Sequence, residues 1–362
     1  MKHSSKLLLV LLLIMAVGLV GCSKKETPTA PPSGDLGILL SASHPLVKAA
    51  MVIQDKNTPK LMADPDIVGT AITAGDDGAP AIMILVLNEA KKSSIPAKID
   101  GVNTKVIVTD RIVAMSAAAV SHKAKQTPPI QLGTSGSWRY DLANGYCCGG
   151  TLGSLIQVGS QKRILSNYHV FEADIVSGGN SRVAATGDYI IQPGLIDVSC
   201  AAASAQNVAT LVKTSSLPGS NVDCSSATII TGMVNETGAI LEIGTISATT
   251  IAASVNQAVK KSGRTTGLTR STVSGLNATI SVTYENECAG GTAFTKTFTG
   301  QILVKNTRSR FLAGGDSGSL MVQDLTTNPK AIGLLFAGST SIAVANPIGS
   351  VLSFFGATMV GN

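Results

Sequence analysis

What most limits the folds open to this chain is the spacing of its apolar residues after Gly145. They come in short runs, among them Ile302-Leu303-Val304, Leu320-Met321-Val322 and Ala331-Ile332-Gly333-Leu334-Leu335-Phe336, each bounded by polar or turn residues. No long stretch keeps the period of an amphipathic helix. Thr, Ser and Val are abundant, and aromatic residues make up only 4% of the chain. Short apolar runs punctuated by turn residues specify strands, so the C-terminal region is predicted to be mainly β. Val351-Leu352-Ser353-Phe354-Phe355 near the end fits either a short helix or a strand.

A single turn in this β-rich region is specialised. Ala313-Gly314-Gly315-Asp316-Ser317-Gly318-Ser319-Leu320 surrounds a serine with glycines, which lets the backbone take positive φ and approach another molecule closely. The same geometry aims the N–H groups of Gly315 and Ser317 at one point, as an oxyanion hole requires. A nucleophilic serine also needs a base, and histidine is scarce: the chain has four, His3, His44, His122 and His169. His3 lies in a targeting segment, His44 far toward the N-terminus and His122 in a polar connector. His169 alone falls in the β-rich region, at the end of Arg163-Ile164-Leu165-Ser166-Asn167-Tyr168-His169-Val170-Phe171, where a strand end holds an imidazole toward a cleft.

A carboxylate should orient that histidine. Between His169 and Ser317 the aspartates are Asp174, Asp188, Asp197 and Asp223. Asp223 has the best setting, in Asn221-Val222-Asp223-Cys224-Ser225-Ser226-Ala227, because small semi-apolar neighbours and a following β run bury it at a strand start. Asp197 is the runner-up, although Pro193-Gly194 gives it the look of a turn residue. Asp174 is too close to His169 in sequence to reach back.

Taken together, the order His169, Asp223, Ser317 and the residues around each resemble the chymotrypsin-fold serine peptidases. Ser166-Asn167-Tyr168-His169-Val170 is similar to the histidine motif of bacterial members, Asn221 to Ala227 to their aspartate motif, and Gly315-Asp316-Ser317-Gly318-Ser319 to their serine motif. Lys261-Ser262-Gly263-Arg264-Thr265-Thr266-Gly267 resembles a strand and turn of secreted bacterial members, and Cys148-Gly149-Gly150-Thr151-Leu152 the strand that opens their first barrel. The resemblance spans roughly residues 140 to 360. It implies two Greek-key six-stranded β-barrels, a chymotrypsin-like domain over 138–362, with His169 and Asp223 on the first barrel and Ser317 on the second. It also implies a substrate pocket touching Phe311, Phe336 and Gly338. With no carboxylate at the pocket base, a small or apolar residue before the scissile bond is expected.

The chain departs from the animal members in two ways. Val170 stands where they have a cysteine after the histidine, so that bridge cannot form. No basic activation site abuts the barrel start, so Asp316 must find a partner other than a newly cut N-terminus.

The N-terminal end reads differently. Lys2, His3 and Lys6 precede the apolar run Leu7 to Val17, followed by Leu19-Val20-Gly21-Cys22. This is the pattern of an export signal. Its end resembles the bacterial lipobox, which implies lipidation of Cys22 and a membrane-attached protein of the cell envelope. Ser23, in place of an aspartate, favours the outer membrane. Residues 23–35 form a Pro-rich polar tether. Residues 36–115 are expected to be a small α+β domain: a helix around 44–54, then strands near 67–72, 81–87 and 104–108, with a turn at Asp76-Asp77-Gly78. Residues 116–137 read as a linker.

After Cys22 the cysteines are Cys147, Cys148, Cys200, Cys224 and Cys288. Up to two disulfides and one spare thiol are expected, with no bond between the adjacent Cys147 and Cys148. Their irregular spacing argues against zinc, and no metal or cofactor is implied. The net charge of +6 is scattered. Lys260, Lys261 and Arg264, like Arg308 and Arg310, read as solvated groups without interleaved aromatics, which gives no nucleic-acid site. The expected activity is that of an anchored serine endopeptidase acting on a protein or peptide substrate; a catalytically silent binding or scaffold module of the same fold is the alternative.

Overall fold

The short apolar runs become strands of two curled sheets. The protein is described here as a computed structural model covering residues 40–112, 121–143, 146–172, 182–284 and 294–362. The export-like segment with Cys22, the tether, Asp174 and Cys288 lie outside the described residues.

Helix α1 (Pro45–Met62) starts where His44, still extended, accepts the Leu46 N–H at Nδ1 (3.3 Å) and Pro45 supplies a preset φ. Its buried residues Val47, Ala50, Gln54 and Thr58 fall on one face, which packs on β1 (Ile67–Ala74). The predicted turn follows, with Gly75 N–H on Ala79 O (2.7 Å) and Ala79 N–H on Asp77 Oδ1 (3.0 Å). It leads to β2 (Pro80–Val86), then through α2 (Glu89–Ser94) and β3 (Lys98–Ile99) to β4 (Val102–Val108), which runs parallel to β2.

The first lobe contains β5 (Thr134–Trp138), β6 (Leu142–Ala143), β7 (Tyr146–Cys147), β8 (Gly150–Leu152), β9 (Ser154–Val158) and β10 (Gln161–Ser166). After the single turn α3 (Tyr168–Phe171) come β11 (Tyr189–Gln192), β12 (Gln206–Val212) and β13 (Ser225–Ile229). The second lobe follows a short pair, β14 (Ala239–Ile240) and β15 (Gly244–Thr245). It has β16 (Ala258–Gly263), β17 (Gly267–Tyr284), β18 (Phe294–Lys305), β19 (Leu320–Gln323), β20 (Ala331–Gly338) and β21 (Ile342–Pro347). The C-terminal run 351–355 is helical, in α4 (Ile348–Phe355), and β22 (Thr358–Met359) ends the chain.

The first sheet has eight strands in the order β22-β9-β10-β13-β12-β11-β5-β8. Since only Gly153 separates β8 from β9, the sheet curls back toward its own start. Leu155, Ile164, Ile190, Ala209 and Ala227 fill its interior. In the second sheet β16-β19-β20-β21-β18-β17 follow one another, and β16 also pairs with β17, which closes six strands into a ring.

The second sheet does not stop there. β17 pairs with β16 over Gly267 to Thr272 and, further along, with β1 through Ile280, Thr279 and Leu276. The sheet thus continues into β1-β2-β4-β3, ten strands in all. Within residues 40–112 helix α1 and strands β1 to β4 are present, and the strands share a sheet with the second lobe. Val68, Met83 and Leu85 pack with Ile280, Val344 and Phe336 in one apolar cluster, and the chain from Ile38 onward forms one compact unit. Some of the connector is also packed, since Ile130 and Leu132 are fully buried beside Trp138 and Leu152.

Cys147 and Cys200 form a disulfide (S–S 2.07 Å), Cys148 is also disulfide-bonded, and Cys224 is a buried free thiol. Burial, and after it the neighbouring Asp223 charge, push the Cys224 thiol well above its ordinary range, so it is no nucleophile.

Candidate active site

Strand β10 ends at Ser166, and the single turn α3 that follows turns His169 toward the start of β13. There Asp223 is fully buried. Its Oδ2 lies 2.6 Å from His169 Nδ1, and its Oδ1 accepts the Tyr168 N–H at 2.7 Å. A third donor, the Tyr284 hydroxyl, reaches Oδ2 at 2.9 Å. The main chain of Asp223 is held as well: its carbonyl accepts from Asn167 Nδ2 (2.7 Å) and Asn346 Nδ2 (3.1 Å). These donors hold the buried carboxylate in place, and its contact with Nδ1 orients the imidazole with Nε2 turned away from Asp223.

Tyr284 was not evident from the sequence, because it sits 61 residues from Asp223 at the far end of β17 with no local motif. Burial, and then the Asp223 charge, hold its phenol well above the ordinary value of 10.0. A folded value above the unfolded one means that this group's contribution to stability is complete below about pH 10 and fades as pH climbs further. In a tyrosinate absorbance titration, one tyrosine should ionise only as the protein unfolds, and Tyr284→Phe should remove that step. A normal titration of Tyr284 in the folded protein would contradict this environment.

The serine turn lies against the residues flanking His169. Gly150 separates them by contact with both: a Cβ there would sit 2.6 Å from Val170 Cγ2 and 2.9 Å from Ser317 O. Thr151 N–H donates to Ser317 O (2.8 Å), and Gly318 N–H donates to Leu335 O (2.9 Å). Gly318 has φ +92°, and a Cβ on it would stand 2.2 Å from Ser166 Oγ, so no other residue fits between the lobes here. Ser317 is 1% exposed, and its Oγ donates to Phe336 O at 3.3 Å. His169 Nε2 is buried and has no hydrogen-bond partner among the described residues. The histidine and aspartate are therefore joined, while the serine hydroxyl is turned to a main-chain carbonyl. The N–H groups of Gly315 and Ser317 donate to no other described residue, which leaves both available to an incoming oxygen.

Asp316 finds its partner inside the fold. Lys261 Nζ lies 3.2 Å from Oδ2, with both side chains fully buried. Oδ1 accepts the N–H groups of Thr265 (2.8 Å) and Thr266 (3.1 Å), and Oδ2 accepts Thr266 Oγ1 (2.7 Å) and Ala313 N–H (3.0 Å). Lys261 also donates to Gly267 O (3.1 Å) and to Thr266 Oγ1. Burial lowers its ammonium below the usual lysine range, partly offset by Asp316. Lys260, Lys261 and Arg264 are thus not solvated, as their charge suggested: they are 4%, 0% and 2% exposed. Adjacent on β16, Lys260 and Lys261 point to opposite faces, Lys260 Nζ to Leu325 O (2.6 Å) and Lys261 Nζ to Asp316, while Asp197 clamps Arg264 in the turn that follows. Asp197 is hence a structural carboxylate, and Asp223 is the one on His169.

The three pocket residues fare differently from one another. Phe311 is 2% exposed in an apolar cluster with Leu312 and Met321. Phe336 is fully buried against Phe298, ring centroids 4.9 Å apart. Both side chains fill core. At Gly338, on the same strand as Phe336, a Cβ would meet Ile342 O at 2.8 Å. Among the described residues no group of three or more His, Cys, Asp or Glu side chains is placed to hold a metal ion.

The family model of the Nal1 C-terminal domain matches residues 201–345. No curated protein shows a match to the chain. Among solved structures, the chain is similar to a glutamic acid specific serine protease that utilises a histidine triad in substrate binding. The two are 18% identical over 64% of this chain and 100% of that one, with a TM-score of 0.42. It is also similar to protease A of Thermobifida fusca (21% identity, 60% and 95% of the two chains, TM-score 0.39). A third is the chymotrypsin of Cellulomonas bogoriensis (20%, 64% and 99%, TM-score 0.38).

Proposed function

We propose that the chain is a serine endopeptidase of the chymotrypsin-like, two-barrel kind, held outside the cytoplasm by a lipid on Cys22. The observation that carries the reading is the 2.6 Å contact of His169 Nδ1 with the buried Asp223 carboxylate, beside a serine turn whose two candidate oxyanion donors engage no other group among the described residues. In the reaction, Ser317 Oγ turns from Phe336 O toward His169 Nε2 and attacks the scissile carbonyl carbon as Nε2 takes its proton. The oxyanion rests on the N–H groups of Gly315 and Ser317, each worth about 3 to 4 kcal/mol of barrier. Asp223 stabilises the imidazolium. His169 then gives the proton to the leaving amine, and an ester links Ser317 to the acyl half. Water, activated by the same Nε2, hydrolyses that ester and restores the serine.

One observation favours the second reading, a silent module of the same fold: Ser317 donates to Phe336 O while His169 Nε2 has no hydrogen-bond partner among the described residues. Hydrogen bonds at a resting site often tighten only with substrate bound. Labelling with a fluorophosphonate probe separates the two. The catalytic reading expects labelling of the folded protein, lost in Ser317→Ala, His169→Ala and heat-denatured samples. Absence of labelling in the folded protein would favour the silent module.

A further inference from the structure

The peptide joining Gly314 to Gly315 carries one of the two oxyanion donors, and its own residues do not decide which way it faces. Both are glycines, and Gly315 sits at φ +88°, where a rotation of the peptide plane meets little steric resistance. In a trans peptide the C=O and N–H point in opposite directions. Whatever holds the Gly314 carbonyl therefore aims the Gly315 N–H.

The holder is Thr265. Its Oγ1 donates to Gly314 O at 2.5 Å and accepts from Arg264 Nη1 at 3.1 Å. The rest of that guanidinium is gripped by one carboxylate, Nε on Asp197 Oδ2 and Nη2 on Oδ1, each at 2.6 Å. This planar two-point contact leaves Arg264 no alternative orientation. Asp197 is itself fixed by Ser135 Oγ at 2.5 Å. The fit is close enough that a Cβ on Gly315 would lie 2.6 Å from Arg264 Nη1 and 2.7 Å from Thr265 Oγ1. A hydroxyl that accepts from a cation is a stronger donor to the next group in line, so Arg264 strengthens the bond that fixes the peptide.

We propose that Thr265 is a positioning residue that locks the Gly314–Gly315 peptide with its N–H toward the oxyanion, and that the Asp197–Arg264 pair sets Thr265. The inference rests on the endopeptidase reading above. Asp197 belongs to the first lobe, whereas Arg264 and Thr265 belong to the second. The lock therefore exists only while the lobes are docked, which links the oxyanion hole to the joint between them.

The test compares Thr265→Val, which keeps the shape and removes the hydroxyl, with Thr265→Ser, which keeps the hydroxyl. With wild-type activity in hand, Thr265→Val should lower kcat on a peptide substrate by about 10- to 100-fold with KM little changed. A peptide boronate, which forms a tetrahedral adduct, should lose affinity in parallel, and Thr265→Ser should restore both. Equal kcat in wild type and Thr265→Val would overturn the lock, as would a change confined to KM. A crystal structure of Thr265→Val supplies a readout that needs no activity: a reoriented or mixed 314–315 peptide supports the lock, and the wild-type orientation overturns it. An inactive wild-type protein with a reoriented peptide in the variant would sink the endopeptidase reading and leave the lock standing.

Discussion

Exchanging Ser317 for alanine should lower kcat on peptide and ester substrates by about six orders of magnitude, with His169→Ala costing about as much and the double exchange little more. Residues that act as one unit lose their joint effect when either is removed, so their losses do not add. What survives is the contribution of the two main-chain donors and of substrate binding, which need neither side chain. The measurement is steady-state turnover of the purified variants. Equal activity in wild type and Ser317→Ala would remove the catalytic assignment altogether. Losses in Ser317→Ala and His169→Ala that simply multiply in the double variant would mean that the two residues do not act on the same proton.

The second large effect lies beneath the serine turn. Replacing Lys261 with methionine leaves Asp316 buried without its cation, and breaking one side of a buried pair costs about 3 to 5 kcal/mol. Four donors to Asp316 remain, from Thr265, Thr266 and Ala313, which places the expected loss toward the lower end. Urea unfolding should show it as a lower midpoint at unchanged slope. Adding Asp316→Asn to the methionine variant should recover some of the loss, because the asparagine oxygen still accepts main-chain N–H groups while the stranded charge is gone. Fluorophosphonate labelling should slow in the single variant, since Asp316 is the residue directly before the nucleophile. An unchanged midpoint would show that Lys261 contributes nothing beyond what those four donors supply.

The two effects differ in how far the sequence announces them. Ser317, His169 and Asp223 each sit in a short stretch whose composition is unusual, and the structure joins His169 to Asp223. Lys261 and Arg264 have no such signature: a Lys-Lys pair three residues before an arginine looks like any charged surface. Their burial follows from contacts with Asp316 and Asp197, 55 and 67 residues away in sequence. Tyr284 escapes for the same reason. Strand positions in the N-terminal segment follow from periodicity, yet periodicity says which residues face inward and not which neighbouring edge a strand will join. Phe311 and Phe336 show the converse limit, since a position that lines a pocket in a resembling family here carries a side chain turned into the core.

Strand β17 has one further implication. Six strands closed on themselves have no free edge, but this one runs 18 residues and passes beyond the point where β16 leaves it. The overhang would present a row of unpaired main-chain donors and acceptors, the kind of surface on which chains recruit one another into aggregates. β1 occupies it. The segment ahead of the two lobes thus covers that edge, and a version of the protein trimmed to its two lobes would carry an adhesive border that the whole chain keeps covered.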